Sequence, residues 1–490
     1  MAHNVFYGDE SPVAAFATLA GGSALTLIRC SGKGSIEMVS SVFEPAGKKS
    51  ADLDTAAGNT VAHGWIIDND NKEKIDEVLI SVFRSPKSYT GEDSLDICCH
   101  GGFCAGNAVI NALKAAGFRG ALPGEFTFRA FMNGKIDLTK SESVMELVSA
   151  KTDAGRRRAV SRLNGSLYKE INGIKEKLVH VLAGAELYLD YSEDEISADA
   201  DEAAGKLPNA DIAVNVLTRL KKLSESWRTE RIYQEGITCV IAGRPNAGKS
   251  SLFNMLVKED RSIVTDVPGT TRDWIEAWVS FNGAPVRLID TAGLRGTNDS
   301  VEKIGVERSR LFLREADIVL YLIDGEEGFT RDDSEEYHKW KNKNDDKSGN
   351  TADKSAFLFL WNKCDVAKPP EPFPLADIHP VRVSAKTGDG LVELQSEIAS
   401  FIFDKNGSAI DTALMNEPAA ASVGTSRQKN LVDTACSSLE EALSLAQREE
   451  PLDLIAPFLR DAVNSLGEIT GEVSTADVLE EMFSKFCVGK

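Results

Sequence analysis

Positive charge is scarce in this sequence. Lys and Arg total 55 against 75 Asp and Glu in 490 residues, a formal net charge of −20, which excludes a protein whose overall field draws in nucleic acid or an anionic membrane. Any polyanion must be gripped locally. The eight cysteines, at positions 30, 98, 99, 104, 239, 364, 436 and 487, include no C-x-x-C pair, which excludes a dense disulfide scaffold and points to a reducing compartment. No run approaches the roughly 18 apolar residues of a membrane span, and the first ten residues lack the positive segment of a secretory signal. The expectation is a cytoplasmic protein without a membrane anchor. With 42% hydrophobic, 7% aromatic and 27% charged residues, neither a disordered nor a fibrous chain is indicated.

What is present is length and a change of texture along it. At about 100–200 residues per domain, the chain has room for about three. From about 13 to 130, short β-rich runs (24–29, 77–83, 94–98) alternate with Gly and Asp/Asn turns, reading as a small α/β domain. Val160, Leu163, Leu167, Ile171, Ile174, Leu178 and Leu182 then recur at steps of three and four, predicting one long amphipathic helix. The acidic stretch 186–202 holds eight carboxylates and no Lys or Arg, and reads as a solvated loop before a helix over 211–231. From 237 to about 403, strands (237–242, 275–281, 286–289, 318–323, 357–361, 380–383) alternate with helices as in a parallel doubly wound sheet. Polar residues 341–354 read as a flexible insertion in it. Helical spacing returns at Leu431, Ala435, Leu439 and Leu443, then at Leu452, Ile455, Leu459, Val463 and Leu466. The fold class is therefore multidomain α/β and all-α, divided as 1–130, 131–234, 235–404 and 405–490. The two helical parts are expected to form one discontinuous domain with the α/β domain inserted; two separate helical domains are the alternative.

The chemistry concentrates in the inserted domain. Gly243-Arg-Pro-Asn246-Ala247-Gly248-Lys249-Ser250-Ser251 follows a strand and opens a helix, the context of a phosphate-binding P-loop. Backbone N–H groups would wrap an anion, Lys249 would neutralise β and γ phosphates, and the Ser250 hydroxyl would ligate Mg²⁺. Asp290-Thr291-Ala292-Gly293 ends a later strand, where Asp290 can hold a water of the Mg²⁺ shell and the Gly293 N–H can reach a γ-phosphate. Between them lies Gly269-Thr270-Thr271-Arg272-Asp273, whose Thr271 can close on Mg²⁺ and change partner when the γ-phosphate leaves. Asn362-Lys363-Cys-Asp365 follows an apolar strand; its last carboxylate suits the paired N–H donors of guanine and would stay unpaired against adenine. Ser384-Ala385-Lys386 completes the order, with a backbone N–H for the guanine carbonyl. The nucleotide is therefore GTP, and residues 237–403 resemble the translation-factor-related branch of small GTPases. Leu294 stands where Ras-like proteins place the Gln that orients attacking water, so Arg295, Asp299, Glu302 and Glu307 are the nearby candidates for that task.

Several longer strings are more specific: GRPNAGKSSLFN, VTDVPGTTRDW, DTAGLR followed by VEKIGVERS, SYTGEDSLDICCHGG, LPGEFTFRAFMNGKIDL and ITGEVSTADVLEEMFSKFCVGK. On these the chain resembles the MnmE (TrmE) family of tRNA modification GTPases over nearly its whole length. The resemblance implies an N-terminal folate-binding domain that mediates homodimerisation, a discontinuous helical domain and an inserted Ras-like G domain. It implies GTP hydrolysis stimulated by K⁺ and by pairing of G domains across their switch regions. Glu302 falls on the family's catalytic acid, with Asn246 and Arg272 completing the expected catalytic set. Asn246, Thr265, Val267 and Thr270 fall on the K⁺ loop, and the span Thr265, Asp266, Val267, Pro268, Gly269, Thr270 on its nucleotide contacts. A cation beside the phosphates could stabilise charge where another protein sends an arginine.

The same resemblance places a tetrahydrofolate derivative, in a 5-formyl or methylene form, against Arg29, Asp96, Lys135 and Lys490; Asp96 stands where the family usually has Glu. Cys487, in a terminus that composition alone reads as frayed, becomes a possible modification-site thiol. Cys98, Cys99, Cys104 and His100 match no standard zinc spacing. Residues 151–177 carry eight Lys or Arg against three acids, a candidate phosphate-contacting patch for tRNA or simply a solvated helix. The implied activity installs a carboxymethylaminomethyl or aminomethyl group at C5 of wobble uridine together with an MnmG (GidA)-type FAD protein, as a heterotetramer. The alternative is a regulatory GTPase switch in ribosome or RNA assembly, which would have no need of Arg29, Lys135 and the Cys-Val-Gly-Lys490 end.

Overall fold

The computed structural model describes residues 7–18, 23–47, 52–190, 207–259, 275–291, 312–313, 316–345, 355–375, 378–404 and 421–489. The chain divides into two units, one made of residues 1–145 with 464–490 and the other of 146–463.

In the first unit, seven strands form one sheet: β1 (Val13–Phe16), β2 (Leu25–Ser31), β3 (Phe43–Pro45), β4 (Thr60–Ile67), β5 (Lys74–Phe83), β6 (Ser94–His100) and β7 (Arg119–Gly120). Their order is β3-β4-β5-β6-β2-β1-β7, with only the β1–β7 pair parallel. Period-2 side-chain alternation decides which face is covered: Asp76, Val78, Ile80 and Val82 of β5 are buried while Glu77 and Leu79 are exposed. Helices Ser35–Ser41 and Phe103–Ala115 contribute Ile36, Val39, Val109 and Leu113 to the core that β5 shares with Ile28 and Ile97.

The chain end is packed into this unit. Phe483 of helix Ala476–Ser484 meets Phe128 of helix Glu125–Met132 edge-on at 5.4 Å, and Phe486 joins them. The Gly124 N–H donates to the Cys487 carbonyl at 3.2 Å. Burying each phenyl ring contributes about 1.5–3 kcal/mol, so the terminus is held by hydrophobic contact and is not frayed.

The second unit combines helices and a second sheet. The single helix expected through Val160 and Leu182 is in fact two, Asp153–Leu163 and Ser166–Asp190. Gly165, at φ 89°, supplies the left-handed turn that ends the first. The apolar stripe itself is as the spacing predicts: Leu167, Ile171, Ile174 and Leu178 are all buried. Helices Ala210–Glu235 and Ser426–Gln447 bury Val216, Leu220, Ala435 and Leu439. Helix Leu452–Thr470, whose residues from Asn464 on belong to the first unit, buries Leu452, Ile455, Leu459 and Leu466 at the predicted period. Of the acidic stretch, the part to Asp190 is helical and the remainder lies outside the described residues.

Six strands build the second sheet: β8 (Ile237–Gly243), β9 (Ile275–Phe281), β10 (Ala284–Asp290), β11 (Ile318–Asp324), β12 (Ala356–Asn362) and β13 (Val381–Arg382), in the order β13-β12-β11-β8-β10-β9. Five run parallel, but β9 is antiparallel to β10, which corrects the expectation of a wholly parallel sheet. The reason is local: Asn282-Gly283, both at positive φ (50° and 84°), make a two-residue turn, and so short a link cannot cross over to a parallel neighbour. Central β11 is buried at every position, as a parallel strand covered on both faces must be. Residues 341–345 of the expected insertion are helical, within Arg331–Asp345; 346–354 lie outside the described residues. Among the described residues no helix is long and apolar enough to cross a membrane.

Candidate functional site

Ligands of open α/β sheets bind at the carboxyl ends of the parallel strands, and three motifs arrive there independently. β8 ends at Gly243 and delivers the phosphate loop to the start of helix Lys249–Glu259. Asn246 occupies the left-handed region (φ 64°) in that loop, a conformation its short amide tolerates, and it is exposed. Lys249 is nearly buried, its Nζ donating to the carbonyls of Gly243 at 3.0 Å and Arg244 at 2.6 Å. β10 ends at the fully buried Asp290, whose Oδ2 accepts from the Ser250 hydroxyl at 2.8 Å. A hydroxyl and a carboxylate side by side are the hard oxygen donors that Mg²⁺ selects, so the residues fit that ion. Thr291 donates its hydroxyl to the Ile241 carbonyl at 2.8 Å, stitching β10 to β8.

β12 ends at Asn362, which is buried and joins two loops. Its Nδ2 donates to the Ala247 carbonyl in the phosphate loop at 2.7 Å, and its Oδ1 accepts from the Ala385 N–H at 3.0 Å. The approach is tight enough that a Cβ on Gly248 would lie 2.2 Å from that Nδ2. Lys363, also left-handed at φ 60°, sends its ammonium to Asp324 (2.8 Å) and Glu326 (2.6 Å); hydrogen bonding to Asp324, then Glu326, holds its pKa above the ordinary lysine range. Asp365 is exposed beyond it, while Ser384 is buried and ordered by its own loop, accepting from the Thr387 N–H at 3.2 Å. The loop after β8, Asp290 at the end of β10 and the loops carrying Asn362 and Ala385 therefore meet at one end of the sheet.

Of the other predicted nucleotide-site residues, Ser251 and Lys386 are exposed, and Thr265, Asp266, Val267, Pro268, Gly269, Thr270, Thr271, Arg272, Ala292 and Gly293 lie outside the described residues. So do Leu294, Arg295, Asp299, Glu302, Glu307 and Lys490.

Comparison with known proteins follows the same lines. The GTP-binding protein TrmE N-terminus matches residues 12–135 and the MnmE helical domain residues 138–487. A tRNA modification GTPase MnmE of Treponema denticola is 40% identical, covering 99% of both chains. That of Carboxydothermus hydrogenoformans is 38% identical over 98% of this chain and 100% of its own. The chain belongs to the MnmE family of tRNA modification GTPases. The architecture of the family member in hand is a TrmE N-terminal domain, a helical domain and a P-loop nucleotide fold.

In the TrmE N-terminal part of this MnmE family member, the sheet register sets Arg29 opposite Asp96. They form a two-point ion pair, Nε to Oδ1 at 2.9 Å and Nη2 to Oδ2 at 3.1 Å, with about a fifth of each side chain exposed. The guanidinium also faces the rings of Tyr89 (5.7 Å) and Phe126 (6.0 Å). Lys135 donates its ammonium to the Pro86 carbonyl at 2.8 Å. Cys487 is exposed. Burial pushes the Cys99 and Cys436 thiols up to about 11. Among the described residues no group of three or more His, Cys, Asp and Glu side chains could hold a metal ion.

The basic stretch 151–177 is less available than its composition suggests. Arg162, 2% exposed, is buried among Glu146 (2.7 Å), Glu230 (2.8 Å) and Ser422 (3.0 Å). Arg158 pairs with the same Glu230 and stacks on Tyr233, and Arg156 and Arg157 share Asp153. Arg158 and Arg162 thus serve the interior of the helical part. Sequence reasoning also missed Arg244, Glu327 and Asp333, which brace the phosphate loop from behind. A capping-box spacing, Thr330-x-x-Asp333, was the available signal.

Proposed function

We propose that this chain is a K⁺-stimulated GTP hydrolase that, with an MnmG (GidA)-type flavoprotein in a heterotetramer, modifies C5 of wobble uridine in certain tRNAs, drawing its carbon from a tetrahydrofolate derivative. The observation that carries the nucleotide half is the Ser250–Asp290 contact. Two motif residues 40 positions apart meet at 2.8 Å beside a phosphate loop, in a chain that aligns with MnmE relatives end to end. Ser250 and Thr271 would hold Mg²⁺, which when bound neutralises β and γ phosphate oxygens; Asn246, Thr265, Val267 and Thr270 would hold K⁺. Lys249 and the loop N–H groups bind the phosphates, Asn362 keeps the loops in register, and Asp365 with Ser384, Ala385 and Lys386 reads guanine. Glu302 orients the attacking water in place of a Gln, with Arg272 at the switch.

For folate, the Arg29–Asp96 pair presents a cation and a carboxylate together on an aromatic wall, a donor set suited to a pterin amide edge. Lys135 and Lys490 supply charge for the glutamate tail and Cys487 a thiol. The further reading comprises a homodimer through the N-terminal domain, the four-part division 1–130, 131–234, 235–404 and 405–490, and action in the cytoplasm.

The test is GTP hydrolysis by the full chain in K⁺ and in Na⁺ at equal ionic strength, for wild type and Glu302→Ala. Faster turnover in K⁺, and loss of hydrolysis with GTP affinity kept in the variant, are expected. Equal rates in both salts would refute the K⁺ assignment, and an active variant the role of Glu302.

A further inference from the structure

One acidic loop takes a cation from each of two nucleotide motifs, and nothing in the motif logic requires it. The loop runs from Asp324 at the end of β11 to Asp333 in the first turn of helix Arg331–Asp345. Lys363 lands on Asp324 and Glu326, as described above. Arg244, the second residue of the phosphate loop, spans the rest: Nε to Asp333 Oδ1 at 3.1 Å, Nη1 to Glu327 at 2.8 Å, and Nη2 to the Gly328 carbonyl at 2.7 Å.

Asp333 is the interior member of this set, wholly buried where Glu327 is more than half exposed. Its two oxygens do different jobs. Oδ2 accepts from the Thr330 N–H (2.8 Å) and the Thr330 hydroxyl (2.9 Å), the first of which is the carboxylate half of a capping box at the helix start. Oδ1 accepts from Arg244 Nε and from the Tyr321 hydroxyl at 3.0 Å, and a helix cap has no use for either. The Arg244 carbonyl is in turn an acceptor for the Lys249 ammonium. A chain of charged hydrogen bonds therefore runs from a buried carboxylate, through one arginine, to the lysine that meets the phosphates.

We propose that Asp333 is a positioning residue of the nucleotide site: through Arg244 it sets the first turn of the phosphate loop before the nucleotide arrives. The inference rests on the GTP-binding reading of that loop. Because Arg244 is itself a phosphate-loop residue whose side chain is anchored on the Asp324–Asp333 loop, the effect falls on GDP and GTP alike, and on KM more than on kcat.

The experiment compares the full chain with Asp333→Asn, Arg244→Ala, the double variant and Thr330→Ala. Fluorescent GDP titrations are made well below each unfolding midpoint, with steady-state GTP hydrolysis alongside. Asn can keep its carbonyl on the Thr330 cap while losing the second acceptor, so Asp333→Asn should raise the Kd for GDP roughly tenfold, as should Arg244→Ala. The double variant should be no worse than the poorer single one. Thr330→Ala should lower the unfolding midpoint and leave the Kd within about twofold. An Asp333→Asn protein that melts earlier but binds GDP as wild type does, or effects that simply multiply in the double variant, would overturn the proposal. Failure of the wild-type chain to bind GDP at all would overturn the nucleotide reading and the inference together.

Discussion

Replacing Asn362 by Ala removes one buried side chain that joins two loops, and its cost can be worked from the structure. Two hydrogen bonds disappear, Nδ2 to the Ala247 carbonyl at 2.7 Å and the Ala385 N–H to Oδ1 at 3.0 Å. Each such bond contributes about 1 kcal/mol net, and a buried partner left without a replacement adds a further penalty of about 1–3 kcal/mol. Water can enter the space left by the amide, so the lower part of the sum applies, about 2–4 kcal/mol in total. If the nucleotide must restore the loop register on binding, that energy is drawn from its affinity, and about 1.4 kcal/mol is a factor of ten. The Kd for GDP should therefore rise at least about 30-fold. Titration with fluorescent GDP measures it, with urea unfolding of the free protein as the companion assay. A Kd within about threefold of wild type would refute the claim that Asn362 organises the site.

Further outcomes follow from other parts of the chain. Arg162→Met takes the buried guanidinium from Glu146 and leaves Glu230 to Arg158 alone, and should destabilise the protein by about 3–5 kcal/mol in denaturant unfolding; a loss under about 1 kcal/mol would mean that the network is solvated. His100 is held above its ordinary pKa of 6.5 by hydrogen bonding to Asp76, then by that carboxylate's charge. A raised folded pKa stabilises fully below the unfolded value and is lost as pH rises through the folded one. The pH-dependent part of the melting difference between wild type and His100→Gln should accordingly be largest near pH ~6 and fade toward alkaline pH; a difference that grows with pH would contradict the assignment.

How much of this was legible in the sequence depends on how local the cause is. The strand-end placement of the Gly243–Ser250 loop, Asp290 and Asn362 could be read because each motif sets fixed residue types at short spacings next to a strand. The stripe from Leu167 to Leu178 was legible for the same reason, since 3.6-residue periodicity is a property of one helix. Gly165 is the usual left-handed stop inside an otherwise continuous apolar stripe, which masks the break; the Asn282-Gly283 turn likewise carries a hairpin signal within an alternation of strands and helices. What no local pattern could give is partnership across distance. Arg29 and Asp96 are 67 residues apart and meet only through the β2–β6 register. Arg162 counts toward the basic stretch 151–177, yet Glu146, Glu230 and Ser422 close around it. Charge composition counts arginines and says nothing of which are already paired.

The account's central claim is that nucleotide chemistry in this chain drives tRNA modification, and the most direct test is the wobble nucleoside itself. In cells lacking the chain, tRNA would be digested and the C5-modified wobble uridine quantified by mass spectrometry, with complementation by wild type and by Lys249→Ala at matched protein levels. Loss of the modified nucleoside, restored by wild type and not by Lys249→Ala, is the predicted result. Undiminished modification without the chain, or full restoration by Lys249→Ala, would contradict it.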